Sequence, residues 1–264
     1  MTERMNGRVV IITGGGSGIG AAIAAGMARE GAAVAVADLN LEAAQKVAAQ
    51  IVADGGLAIA THVDVSDRAA VAAGIAATVA EFGRLDAYFN NAGVNSPMPF
   101  LEISEDNFLF LMRINALSVL IGTQEAAKQF LAQEPAVGGI RGKVVNTASI
   151  AGRTGFSTWA PYSAAKAAVI SLTQAGARAL AEQGITVNAF APGVVATPLW
   201  IQLDADLAKM GAADAGFDSM SNDILLGRPA QPEDIVPTAL FLASADSDYI
   251  TGQVIPIEGG MILV

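Results

Sequence analysis

The chain has 264 residues, 53% hydrophobic and 15% charged, enough for one large globular domain and too apolar for a disordered tail. Zero cysteines exclude disulfides, thiolate metal sites and thiol catalysis, and a formal charge of -10 without a basic patch argues against nucleic acid as a partner. Arg113 and Asn115 interrupt the most apolar stretch, so no run reaches the ~18 residues of a membrane span, and Met1 to Gly7 lacks the apolar core of a signal peptide; a cytoplasmic location is expected.

Val9 to Ile12 is a β-branched run that stops at Thr13-Gly14, and from Gly18 to Glu30 the positions Ile19, Ala22, Ile23 and Met27 recur at helical spacing. The unit repeats as a strand from Ala33 to Ala37 ending at Asp38, a helix from Leu41 to Asp54, a strand from Leu57 to Val63 ending at Asp64, and a helix from about Asp67 to Phe82. Next come a strand from Leu85 to Asn90, a long helix from about Glu105 to Leu131, and a strand from Lys143 to Thr147. A helix from about Tyr162 to Glu182, a strand from Thr186 to Ala191, a helix opened by Pro232-Glu233-Asp234 and a strand around Val254 to Ile257 complete the series. Strands alternating with helices imply an α/β fold, a doubly wound parallel sheet of the Rossmann kind with helices on both faces, and with no linker to break the series one domain is expected over 1–264. Two segments stand outside it. Glu134 to Gly142 reads as a surface turn, and Thr197 to Asn222, with an apolar stripe that includes Leu203, Leu207 and Met220, reads as a lid over a substrate pocket.

Thr13-Gly14-Gly15-Gly16-Ser17-Gly18-Ile19-Gly20 follows a strand and opens a helix, the setting in which backbone N-H groups approach a pyrophosphate at the positive helix end. The alternative is a turn in which glycine only supplies positive φ. Asp38 closes the second strand, where a carboxylate accepts from both ribose hydroxyls and repels a 2′-phosphate; Ser17, Leu39 and Asn40 offer that phosphate no cation, so NAD is favoured over NADP. Its competing role is N-cap of the helix beginning at Leu41. Asp64 and Asn90-Asn91-Ala92-Gly93 stand at the next two strand ends, and ligands of open parallel sheets bind along that edge.

Tyr162 and Lys166 lie four apart on one helix face, where an ammonium beside a phenol favours phenolate and makes a base usable near neutral pH. Ser149, just past the strand ending at Thr147, is placed to hydrogen-bond a substrate oxygen whose proton Tyr162 moves. Asn115 is polar in an apolar helix, a residue that opens the helix locally and holds a water for proton relay. His62, the one histidine, lies in or at the end of a strand and reads as structural.

From about Gly7 to Met261 the chain resembles the short-chain dehydrogenase/reductase family. The resemblance rests on T-G-G-G-S-G-I-G at Thr13 to Gly20, Asp38, D-V at Asp64-Val65, N-N-A-G at Asn90 to Gly93, Asn115, Ser149, Y-S-A-A-K at Tyr162 to Lys166, and P-G-V-V-A-T at Pro192 to Thr197. It implies a catalytic tetrad of Asn115, Ser149, Tyr162 and Lys166, in which Lys166 also holds the nicotinamide ribose. It also implies Asp64 and Val65 at the adenine, Asn91, Ala92 and Gly93 on the adenosine side, and Pro192, Gly193, Val195 and Thr197 facing the nicotinamide. Thr13 would then stabilise the turn rather than the cofactor.

Within the family, the run from Ala165 to Gln174 and Pro192 to Val195 look like bacterial polyol dehydrogenases of the sorbitol type, and Trp200 with Asp204 to Lys209 looks like acetoin and butanediol dehydrogenases. Both imply a small alcohol or ketone substrate. Such relatives often carry glutamine after the serine, where Ile150 stands here, and Ile150, Phe156, Trp159, Trp200 and Met98 make an apolar substrate pocket, unless the aromatics serve lid packing alone. The helix from Glu105 to Leu131 is apolar around most of its circumference and needs a second burial surface; the family pairs it with the helix after Tyr162 across a dimer interface, so a homotetramer is expected, with Met261 to Val264 docked at another interface. No carboxylate cluster points to a metal. An acyl-chain ketoreductase using NADP and a non-catalytic NAD-binding sensor are the alternatives; Asp38 and the charge of -10 oppose the first, the intact tetrad the second.

Overall fold

A computed structural model describes residues 4–135, 139–212 and 215–263. Part of the expected 134–142 turn (136–138), part of the expected lid (213–214) and Val264 lie outside the described residues.

Seven parallel strands form one sheet in the order β3-β2-β1-β4-β5-β6-β7. They are β1 (Val9–Thr13), β2 (Ala33–Asp38), β3 (Leu57–His62), β4 (Ala87–Asn90), β5 (Gly142–Thr147), β6 (Ile185–Pro192) and β7 (Val254–Ile257). The helices are α1 (Gly18–Arg29), α2 (Leu41–Ala53), α3 (Arg68–Phe82), α4 (Glu105–Met112), α5 (Ser118–Ala132), α6 (Ala160–Leu180), α7 (Pro198–Lys209), α8 (Phe217–Ser221) and α9 (Pro232–Ala243). Alternate strand residues face opposite layers: Val10, Ile12, Val34 and Val36 pack with α1, α2 and α9, while Ile11, Ala35, Tyr88 and Val144 pack with α3, α5 and α6. Tyr88 is 1% exposed, and burial holds its hydroxyl far above the ordinary tyrosine range.

The strand order reverses beside β1, whose neighbours are β2 and β4, and the carboxyl ends of these strands open a crevice at that switch point. The expected helix from Glu105 to Leu131 is interrupted where Asn115 suggested, by a π-helical turn at Arg113–Leu117. α6 begins two residues earlier than expected because Pro161 occupies its first turn, where a missing N-H costs nothing. The described part of the tail is tied to its own chain. Met261 packs into its own chain, in the cluster of Trp159, Val194 and Leu207, and Ile262 N donates to Glu258 Oε2 at 2.9 Å, leaving Leu263 exposed. On α4 and its continuation, Leu111 is buried, whereas Leu109 and Phe110 are 62% and 50% exposed.

Candidate active site

The glycine turn closes onto the end of β2. Gly14 (φ +63°) and Gly18 (φ +51°) need the left-handed region, but positive φ is not the whole of it. A Cβ on Gly20 would stand 2.1 Å from the Gly14 carbonyl oxygen and 2.7 Å from Asn91 Nδ2, so the helix start and turn approach as only glycine permits. Gly20→Ala therefore has to displace backbone, with an expected cost of ~1–3 kcal/mol and at least about tenfold weaker dinucleotide binding. Unchanged melting and an unchanged NADH titration would refute that. Asp38 Oδ2 accepts from Gly16 N at 2.9 Å and Oδ1 from Asn40 N at 2.8 Å. The α2 N-cap is Asn40, which accepts from Ala43 N at 3.1 Å, so Asp38 supports the turn and rim instead of capping. Ser17 holds the N-cap position of α1 without a side-chain cap bond.

From this turn an open cleft of about 1320 Å³ runs along the strand ends. Gly14, Ser17, Gly18, Ile19, Asp38, Leu39, Asp64 and Val65 line it, as do Asn91, Ala92, Gly93, Tyr162, Lys166 and Thr197. Asp64 Oδ1 accepts from Ser66 N at 2.8 Å, the main reason its carboxyl titrates below the usual range. Thr13 Oγ1 donates to Phe89 O at 2.9 Å and accepts from Asn91 N and Ala92 N at 3.0 and 3.2 Å, so it ties β1 to β4, as expected of a turn residue. Asn91 Nδ2 donates to Thr13 O at 2.9 Å. Gly93 stands at the inner end: a Cβ there would meet Asn115 Oδ1 at 2.8 Å and Lys166 Nζ at 3.6 Å.

At this inner end Asn115 is fully buried in the π turn, its Oδ1 accepting from Val94 N at 3.0 Å and its Nδ2 donating to Val94 O and Leu111 O. Lys166, 3% exposed, donates from Nζ to Thr147 O at 2.7 Å, and Nζ stands 5.6 Å from the centre of the Tyr162 ring. Ser149 Oγ accepts from Ala151 N at 3.1 Å, and the Ser149 hydroxyl favours the charged form of the neighbouring Tyr162. Burial outweighs it. The Tyr162 hydroxyl is pushed up to about 12, and burial pushes Lys166 down to about 8, so the chain alone holds a phenol beside an ammonium at neutral pH. The spacing alone suggested phenolate; desolvation of the pair is what the spacing did not reveal.

Sequence reasoning missed the network that aims α6. Asn90 Nδ2 donates to Asn146 Oδ1 at 2.8 Å, Asn146 Nδ2 to Thr173 Oγ1 at 2.9 Å, and Thr173 Oγ1 to Val169 O at 2.8 Å. Polar residues in the buried positions of a parallel strand were the available signal.

Beyond Tyr162 lies a second, smaller pocket of about 100 Å³. It joins Ser149, Ile150, Phe156, Trp159 and Trp200 to Pro192, Gly193, Val195, Ile19 and Thr197. Phe156, Trp159, Trp200 and Phe217 form a chain of tilted or edge-on rings with centroids 5.3, 5.6 and 5.5 Å apart, the last two carried by α7 and α8. Met98, expected here, is not among the lining residues, although its N-H donates to the carbonyl of Thr158, the residue before Trp159. Leu199, Leu203 and Met220 of the expected lid segment line it as well, and so does Asn95, which was not singled out. Among the described residues no helix is long and apolar enough to cross a membrane, and no group of three His, Asp or Glu is placed to hold a metal.

A dinucleotide fits these residues: the cleft is long, a Cβ on Gly20 would close the turn, and Asp38 stands at the rim. The class this defines is the oxidoreductases of doubly wound fold that work with nicotinamide cofactors. Residues 14–262 match a family model described as enoyl-(acyl carrier protein) reductase. The chain is 40% identical over 259 residues to L-2,3-butanediol dehydrogenase of Corynebacterium glutamicum and 39% identical over 259 residues to sorbitol dehydrogenase of Cereibacter sphaeroides, each match covering 97% of this chain and 98% of the relative. A solved short-chain type dehydrogenase/reductase from Mycobacterium marinum superposes with a TM-score of 0.89 at 33% identity, over 100% of this chain and 98% of that one. The chain belongs to the short-chain dehydrogenase/reductase family and is an enzyme of it.

Proposed function

We propose that this enzyme interconverts a small secondary alcohol, a vicinal diol or polyol, and its ketone with NAD+ as hydride acceptor and NADH as hydride donor, and that Tyr162 is the general acid/base. The observation that carries the reading is the position of the Tyr162–Lys166–Ser149 group where cleft and pocket meet. The bound nicotinamide supplies hydride transfer at the substrate carbon. Ser149 donates to the substrate oxygen and orients it, while Tyr162 takes the hydroxyl proton in oxidation or returns it in reduction. Lys166 biases Tyr162 toward phenolate and holds the ribose, and Asn115, fixed by Val94 and Leu111, completes the proton route. Asp38 selects NAD by its charge. Ile150, Phe156, Trp159 and Trp200 bound the substrate, and α7 with α8 acts as a lid on a single catalytic domain. The apolar flank of α4, with Leu109 and Phe110, supports a homotetramer. The matching family model names an acyl carrier substrate, but the charge of -10 opposes docking of an acidic carrier.

The test is NADH formation with sorbitol, galactitol, butanediols and longer apolar secondary alcohols, with NADP in parallel. Turnover of a diol or polyol with NAD is expected. No turnover of any alcohol, nor of the matching ketones with NADH, would overturn the reading.

A further inference from the structure

Trp159 has a polar atom that this reaction scheme leaves unused. The residue is 5% exposed and lines the inner pocket, and its Nε1 is sealed from solvent with no hydrogen-bond partner. Buried indole N-H groups ordinarily find an acceptor, because an unmade hydrogen bond in a low-dielectric interior is costly. The neighbours Phe156, Trp200 and Met220 have no oxygen in their side chains, and Ile150, on the serine side, contributes neither donor nor acceptor. On this aromatic side of the pocket the indole N-H is thus the one side-chain donor among Ile150, Phe156, Trp159, Trp200 and Met220 that has no partner in the protein, Trp200 carrying the other indole.

Its position gives the donor a use. Trp159 precedes Tyr162 by three residues, at the N-cap position just before α6, and both side chains line the same pocket. Ser149 and Tyr162 engage the reacting oxygen, and the indole lines the same cavity. A substrate with a single oxygen leaves Nε1 unpaired, whereas one with a second oxygen on the adjacent carbon offers it an acceptor. The N-H is sealed against a ring chain whose outer members Trp200 and Phe217 sit on α7 and α8, so movement of these two helices on substrate entry is required to turn the N-H to the pocket.

Resting on the proposed alcohol–ketone chemistry, we infer that the Trp159 indole N-H reads a second substrate oxygen vicinal to the reacting one. The pocket is thereby selective for vicinal diols, α-hydroxyketones and diketones over monofunctional analogues of the same size. A site built to hydrogen-bond a substrate group discriminates against the analogue lacking it, since its own polar atom is then left unpaired.

The experiment compares kcat/KM for 2,3-butanediol and 2-butanol in the wild-type enzyme, in Trp159→Phe, and in a variant with benzothienylalanine at 159, which keeps the indole shape with sulfur in place of N-H. NADH titration of each variant checks the fold. With the N-H removed, kcat/KM should fall roughly tenfold more for the diol than for 2-butanol, mainly through KM, and the benzothienyl variant, which keeps the ring's shape, should show the same difference. Equal losses on both substrates, or an unchanged diol in the benzothienyl variant, would overturn the inference and leave the alcohol–ketone reading standing. A wild-type enzyme inert toward both alcohols and toward acetoin and 2-butanone would overturn that reading instead.

Discussion

Tyr162→Phe is expected to lower kcat about a thousandfold, within the range spanned by general acid–base catalysis, while NADH binding changes by a small factor. The substitution keeps the ring that Lys166 faces and removes only the phenol oxygen. Lys166 keeps its bond to Thr147 O, and the Asn90–Asn146–Thr173 network still holds α6, so the cofactor cleft stays formed. The pH dependence separates the two directions. Oxidation needs phenolate, and burial pushes the Tyr162 hydroxyl up to about 12, so oxidation should rise with pH through the neutral and mildly alkaline range. Reduction needs the phenol, which is the form present at neutral pH, so it should not share that rise. Burial also pushes Lys166 down to about 8; deprotonation there removes the cation that favours phenolate and sets the upper end of the oxidation rise. Normal turnover in Tyr162→Phe would sink the assignment of the base.

The sequence carried the strand–helix alternation because β-branched runs and 3.6-residue periodicity survive without tertiary context. Asn115 was legible for the same reason: a polar side chain amid Leu111, Ile114 and Leu117 needs backbone partners, and the π turn supplies Leu111 O to its Nδ2. Gly20 was legible as part of a motif, but its cause, contact with Gly14 O, depends on how a helix start folds back on a strand end. The aiming of Tyr162 was less legible. It depends on Asn146, which reads in one dimension as a polar interruption of β5 and in three as the link between β4 and α6. The unpartnered Trp159 Nε1 was also out of reach, since burial and lack of a partner are both tertiary properties.

Asp38→Ala should lower kcat/KM with NAD about 10- to 100-fold, the worth of a charge-assisted hydrogen-bonded contact, and raise the NADP-to-NAD ratio of kcat/KM by at least as much. Loss of ribose contacts drives the first effect, and loss of repulsion against a 2′-phosphate drives the second. Efficiency with NADP should remain modest, because Ser17, Leu39 and Asn40 supply no cation to replace the lost carboxylate. One structural fact complicates the alanine variant: Asp38 Oδ2 accepts from Gly16 N, so truncation also strips a bond from the glycine turn and weakens both cofactors. Asp38→Asn resolves this. Asparagine retains one carbonyl oxygen for Gly16 N and removes the charge at the cost of the bond from Asn40 N, so it should keep the glycine turn while still shifting the ratio toward NADP. A ratio shift in Asn as well as Ala assigns selectivity to the charge. A shift in neither would move cofactor choice away from Asp38, and equal losses with both cofactors in Ala alone would reduce Asp38 to a support for the turn.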